Sequence, residues 1–223
     1  MMSFSLQFVL VLIGTFMIAL VLTPLVRLFS FKIDAVDYPN ARRINTKPMP
    51  SAGGLSIVIA FSIATLVFIP MLTSTTAPIK SYLSYTLPVV GAGWIIALTG
   101  LIDDVKELSA KKKMIGILLA ASLVWFLTDF RLNDFKIPFG GPLLHFEPWL
   151  SYLLTVIWIV SITNAVNLID GLDGLVSGVS IISLVTMGIV SYFFLPVPNL
   201  FLTMTIFVLV ASIAGFFPFN YHP

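Results

Sequence analysis

Cysteine is absent from the 223 residues, so neither disulfides nor thiolate metal sites can contribute to this protein. That absence also leaves the redox compartment undetermined. Charge is scarce: Asp, Glu, Lys and Arg make up 10% of the chain, where a soluble domain carries about 25%. The net charge of +2 is too small to argue for a nucleic-acid partner. No Ser/Gly-rich or repetitive stretch marks a linker or a tail. No Lys or Arg precedes the first apolar run, which is longer than a signal-peptide core, so it is expected to remain as a helix.

Hydrophobic residues fill the space, at 58% with a mean hydropathy of +1.05. Charges vanish from Met1 to Val26, Pro48 to Ile79, Ser81 to Ile102, Met114 to Thr128 and Pro148 to Ile169, and from Gly174 to the end. A hydrocarbon core about 30 Å thick needs about 20 apolar residues per helix. The last stretch is broken by Pro196-Val197-Pro198-Asn199, a turn signal that divides it into two spans. The pattern predicts an all-α polytopic membrane protein. One integral membrane domain covers 1–223, with seven helices at about 4–28, 53–72, 82–102, 114–128, 149–168, 175–195 and 200–218.

Counting loops alternately puts Arg27, Lys32, Arg42, Arg43, Lys47, Lys106, Lys111, Lys112 and Lys113 on one side, against Lys80, Arg131 and Lys136 on the other. The positive-inside rule makes the first side cytoplasmic and the N-terminus external. Asp34, Asp37, Asp103, Asp104, Glu107, Asp170 and Asp173 share that cytoplasmic side. Acidic residues do not follow the rule, so their gathering there points to function. On the outer side, 129–148 alternates weakly (Phe135, Ile137, Phe139) around Gly140-Gly141-Pro142, which predicts a small β-hairpin. Its role is expected to be structural. His145 within it is an isolated imidazole and makes no metal site.

Two polar segments carry candidate chemistry. In Asp103-Asp104-Val105-Lys106-Glu107, a helix continuing through the segment would place Asp103 and Glu107 one turn apart on one face. Carboxylate oxygens on a short arc suit Mg²⁺, which takes one or two of them, keeps waters and binds substrate phosphates. The plain alternative is a solvated helix end, but acids at a helix C-terminus oppose the macrodipole. In Asn164-Ala165-Val166-Asn167-Leu168-Ile169-Asp170-Gly171-Leu172-Asp173-Gly174, two amides and Asp170 recur every third residue and drift along one side of a helix end. Gly171 and Gly174 bracket Asp173 and allow backbone close to a ligand. Capping accounts for one Asp and one Gly. It leaves Asn164, Asn167 and Asp170 without a reason. Arg42 and Lys47 in the first cytoplasmic loop, and Lys112 in the Lys111-Lys112-Lys113 run, are candidate phosphate-binding cations. Anchoring at the membrane surface would equally account for Arg42 and Lys47, and for the lysine run it is the favoured reading.

Together, DAVDYPNARR with PMPSAGG, LIDDVKELSAK, NAVNLIDGLDGL and FNYHP resemble, in order and over essentially the whole chain, the polyprenyl-phosphate N-acetylhexosamine-1-phosphate transferases. PNARR and PMP look more like the GlcNAc-1-phosphate branch than the MurNAc-pentapeptide branch. Asn45 stands where His is common and Ser51 where Arg is common. The resemblance implies transfer of GlcNAc-1-phosphate from UDP-GlcNAc to undecaprenyl phosphate with release of UMP. That would be the first membrane step of a teichoic acid or polysaccharide, in the bacterial plasma membrane. It implies Mg²⁺ (or Mn²⁺) held by Asp103, Asp104 and Asp170, with Asp103 and Asp104 catalytic. Asn164, Asn167 and Asp173 would then position substrate together with Lys112, Arg42 and Lys47. A homodimer is left open. In that family a sequence like FNYHP is followed by a Gly-Asp metal loop, further helices and a His-rich loop. None follows Pro223, so this chain is expected to be an N-terminal portion, inactive alone. The rival classes are a transporter with an acidic cytoplasmic ion site, which predicts acids inside the spans, and the CDP-alcohol phosphotransferases. The latter need acids downstream, and none follows Asp173.

Overall fold

The computed structural model describes residues 4–39, 48–73, 79–195 and 199–221. Almost all of it is helix. Helix α1 (Phe4–Lys32) is followed by a two-residue antiparallel ribbon, β1 (Val36–Asp37) with β2 (Met49–Pro50). Helix α2 (Gly54–Ile63) runs through a π-helical turn (Ala64–Phe68) into α3 (Ile69–Thr73). Then come α4 (Ile79–Lys106), α5 (Ala110–Leu127), the hairpin β3 (Asp134–Lys136) with β4 (Leu143–His145), α6 (Pro148–Ile169), α7 (Leu175–Phe193) and α8 (Leu200–Tyr221). Counting α2 through α3 as one rod, the described residues form seven helical rods.

Six of the rods are long and apolar enough to cross a membrane by length and composition. The exception is α5, whose first turn is Lys111-Lys112-Lys113 and whose apolar stretch is correspondingly short. Two helices run further than the sequence predicts, through charged residues. Helix α1 carries Arg27 and Lys32 on its last turns, and α4 carries Asp103, Asp104 and Lys106. Long cationic side chains can snorkel to the interface without ending a helix. The π turn has a local cause. Pro70 lacks an N–H and its ring would clash with the carbonyl four residues back, so the helix widens just before it. The Ile69 amide accordingly bonds to Ala64 O, five residues earlier.

Two halves make up the bundle. Helix α8 packs against α1, α7 and α2; α5 packs against α4 and α6; contacts of α2 with α4 and of α6 with α7 join the halves. Small residues bring backbones close. A Cβ on Gly215 would strike Phe16 O, and one on Gly116 would strike Thr99 Oγ1. Hydroxyls that would be orphaned in lipid bond to their own helix, as Thr15 does to Val11 O, or cross to a neighbour. Thr23 donates to Ser56 Oγ at 3.0 Å, Trp94 Nε1 to Ser62 Oγ at 3.0 Å and Ser177 to Asn220 Oδ1 at 2.7 Å. Each such bond contributes on average about 0.6 kcal/mol within a membrane.

Candidate active site

The ends of α4 and α6 and the start of α5 come together at one end of the bundle, beside the β1–β2 ribbon. Asp103 and Asp104 lie on the last turn of α4. That helix stops at Lys106, and Glu107 takes a left-handed conformation (φ +47°). The Glu107 amide donates to Asp103 O, and the Leu108 amide donates to Asp103 Oδ1 at 2.8 Å. So Asp103 and Glu107 do not continue one helical face as the sequence suggested; the chain turns sharply after Lys106. The short link to α5 lets Lys113 reach back, with its Nζ 2.5 Å from Asp103 Oδ2. On the far side, α6 ends at Ile169, and Asp170 caps it in an irregular conformation. Gly174 (φ +72°) opens α7; a Cβ there would crowd Tyr221 of α8 as well as straining the backbone.

A cleft of about 720 Å³ lies between these elements. Asp103, Asp104, Glu107, Lys113, Asn167 and Asp170 line it, with Asp37 and Ser51 from the ribbon. A second space of about 310 Å³ shares Asp103, Lys113, Asn167 and Asp170 and adds Asn164. A third, of about 300 Å³, shares Asp170 and adds Asp173, Arg27, Ser177 and Asn220. Asp170 borders all three.

Asn167 and Asp170 therefore share the main cleft with Asp103 and Asp104, while Asn164 and Asp173 line the two neighbouring spaces that Asp170 also borders. Asn164 Nδ2 donates to Val160 O, one turn back on its own helix. Lys112 is exposed and lines none of the three spaces; its neighbour Lys113 lines two. Helical phase explains the difference. Lys113 points along the mean direction of Gly116, Ala120 and Ala121, the residues that α5 buries. Lys112 is about 100° away around the helix. Arg42 and Lys47 lie outside the described residues. Ser51 and Asn220 line these spaces as well, although neither is a candidate on sequence pattern alone. Both are short polar side chains whose placement depends on contacts between distant segments.

The donors around the cleft are carboxylates, amides and hydroxyls, an oxygen-rich set that suits Mg²⁺ or Mn²⁺. Among the described residues no group of three or more His, Cys, Asp or Glu could hold a metal by itself. A divalent cation here would therefore rest on one or two of Asp103, Asp104 and Asp170 and take its other oxygens from water and ligand. Asp170 fits that role. Partial burial raises its pKa above the ordinary carboxylate value, and no ion pair offsets that among the described residues. A bound cation would.

A bundle of apolar helices with one acidic, amide-lined cleft at a single end defines a polytopic α-helical membrane protein whose polar site opens at a membrane face. The sequence places it more narrowly. Residues 86–223 match the glycosyl transferase family 4 profile, and the chain belongs to that family. It is 37% identical over 218 residues to the probable undecaprenyl-phosphate N-acetylglucosaminyl 1-phosphate transferase of Bacillus subtilis (strain 168), covering 97% of this chain and 56% of that protein. Decaprenyl-phosphate N-acetylglucosaminephosphotransferase of Mycolicibacterium smegmatis is 34% identical over 118 residues, covering 52% of this chain and 28% of that protein. The protein of the same name from Mycobacterium leprae is 32% identical over 142 residues, covering 62% and 34%. The chain thus spans little more than half of the Bacillus relative and about a third or less of the mycobacterial ones.

Proposed function

We propose that this chain forms the substrate-facing part of an enzyme that transfers GlcNAc-1-phosphate from UDP-GlcNAc to undecaprenyl phosphate and releases UMP. The product would begin a cell-envelope glycan, with the cleft on the cytoplasmic face of the bacterial plasma membrane and the N-terminus outside. One observation carries the reading: Asp103 and Asp104 share a cleft with Asn167 and Asp170, at the end of a bundle whose outer faces are apolar. A lipid-borne phosphate and a soluble nucleotide can both reach such a place.

The chemistry asks more for positioning than for a strong base. A phosphate monoester has its second pKa near 6, so the acceptor is already largely ionised at neutral pH. An acceptor oxygen bonds to the sugar-bearing phosphorus, and the bond from that phosphorus to the UMP oxygen breaks, its electrons leaving with UMP. Bringing two anions together is the main cost, and fixed charges aimed at the developing negative charge reduce it. Mg²⁺ held by Asp103, Asp104 or Asp170 would supply charge neutralisation when bound. Lys113 adds a cation of the chain's own at the cleft. Asn164, Asn167 and Asp173 hold and orient the donor.

The test uses membranes from cells producing the whole enzyme of which this chain would form part, given UDP-GlcNAc labelled in the sugar and undecaprenyl phosphate. Label should pass to the lipid phase with stoichiometric UMP. Replacing Asp103 or Asp104 by Asn should lower turnover by about 10²-fold, the size of losing one preorganised electrostatic group. Undiminished transfer in both variants would refute their role. Ion flux into liposomes that ignores nucleotide would instead favour a transporter.

A further inference from the structure

The hairpin between α5 and α6 sits at the opposite end of α5 from Lys113 and the cleft, and its surface is unusually apolar. In the strand register Phe135 faces Leu144, while Asp134 faces His145 on the other side of the ribbon. Ile137 follows Phe135 by two positions and shares its face. Phe135 is 52% exposed, and Phe139 at the tip is wholly exposed. Phe139 is also a bulky residue at φ +60°, beside Gly140 at φ +86°. An aromatic side chain in that left-handed region is an outlier that the surroundings must over-determine. No described residue covers its ring.

The base of the hairpin is held below the end of its neighbouring span. The Leu132 amide donates to Thr155 Oγ1 at 2.9 Å, and Ser151 donates to Asn133 Oδ1 at 2.9 Å. Thr155 is seven residues into α6, about 10 Å along the helix at 1.5 Å per residue. So the segment entering the hairpin descends beside a membrane-spanning helix before the ribbon begins. The aromatic cluster of Trp125, Phe126 and Tyr152 lies at this level, with the Arg131 guanidinium 4.7 Å from the Trp125 ring centre. Aromatic rings and a snorkelled arginine are the usual furniture of a membrane–water interface.

We infer that this hairpin is an interfacial anchor: its apolar face and the Phe139 tip insert among the lipid headgroups and upper acyl chains, leaving the Asp134–His145 face in water. Lipid fits better than a second copy of the chain. The face offers only a few side chains, well short of the roughly 800 Å² per partner of a standard protein interface. The polar face is polarised away from it, as an interfacial amphipathic element requires.

Because the chain has no cysteine, single nitroxide labels can be placed without background. Phe139→Cys, Phe135→Cys and Lys136→Cys variants of the chain are reconstituted in phosphatidylethanolamine–phosphatidylglycerol vesicles. Collisions with oxygen and with a water-soluble nickel chelate are then compared by electron paramagnetic resonance. The oxygen-to-nickel ratio should be several-fold higher at 139 and 135 than at 136. Equal, water-like ratios at all three positions would overturn the inference. So would labels at 135 and 139 shielded from both probes with spin–spin broadening, which would mean that a second copy covers the face.

Discussion

At the residue scale, three side chains decide how the cleft behaves. Lys113 pairs with Asp103 and faces the cleft, whereas Lys112 points elsewhere, so the two should separate cleanly under mutation. Lys113→Ala is expected to lower transfer by roughly tenfold or more, the loss of a charge-assisted contact worth about 1.5–3 kcal/mol. Lys112→Ala should stay within about twofold by the same membrane assay, since an exposed charge contributes little. Asp170 makes a prediction of opposite sign for stability. Burial raises its pKa in the folded protein, so its contribution is most favourable when it is protonated and is lost as pH rises through the folded-state value. At neutral pH with EDTA present, Asp170→Asn should therefore raise the melting temperature in detergent while lowering transfer. The stability gap should close on acidification below about pH 4, where the parent carboxyl is protonated in both states. A variant that melts lower at neutral pH would show that the carboxylate has a stabilising partner. The choice among Lys111, Lys112 and Lys113 was not legible from the run of lysines. It could be drawn from the helical phase of Gly116, Ala120 and Ala121, the small residues that α5 buries, whose mean direction coincides with position 113.

At the scale of elements, close approach between helices matters more than the residues that give them their hydropathy. Helices α1 and α8 meet at Gly215, where any Cβ would strike backbone of α1 and the Ala19 side chain. A Gly215→Leu change should cost more than the ~1–3 kcal/mol typical of overpacking, because backbone and not a flexible side chain must yield. The folded yield from membranes, followed by detergent size-exclusion chromatography, should fall sharply, while Gly100→Leu, with open space around it, should not. Element existence was legible from the charge-free runs; element ends were less so. Helices α1 and α4 both run past the charged residues that appeared to end them, because a helix end at an interface tolerates charge. The π turn before Pro70 was visible in principle, as proline inside an apolar run demands a local departure from α geometry.

For the whole molecule, sidedness is the open physical variable, and the cysteine-free background again makes it measurable. The excess of Lys and Arg near the cleft end is the basis for proposing that this end faces the cytoplasm. In intact cells a membrane-impermeant maleimide should label Lys136→Cys at the hairpin and spare Lys111→Cys at the start of α5. The reverse pattern would put the cleft outside, away from any supply of cytoplasmic nucleotide sugar, and end the transferase reading.

Composition and periodicity alone determined that this chain is a helical membrane protein with its acids gathered at one end. Lipid forces backbone hydrogen bonds to close within each segment, so long uncharged runs have little choice but helix. Order along the chain also marked the segments that carry polar chemistry. Their convergence was decided only in three dimensions. Residues 103 and 170 stand at the ends of α4 and α6, helices separated by one further pass of the chain, α5, and no local preference reports how α4, α5 and α6 pack. Packing of small residues between those helices, and the short turn after Lys106, bring Asp103, Asp104, Lys113, Asn167 and Asp170 to one cleft.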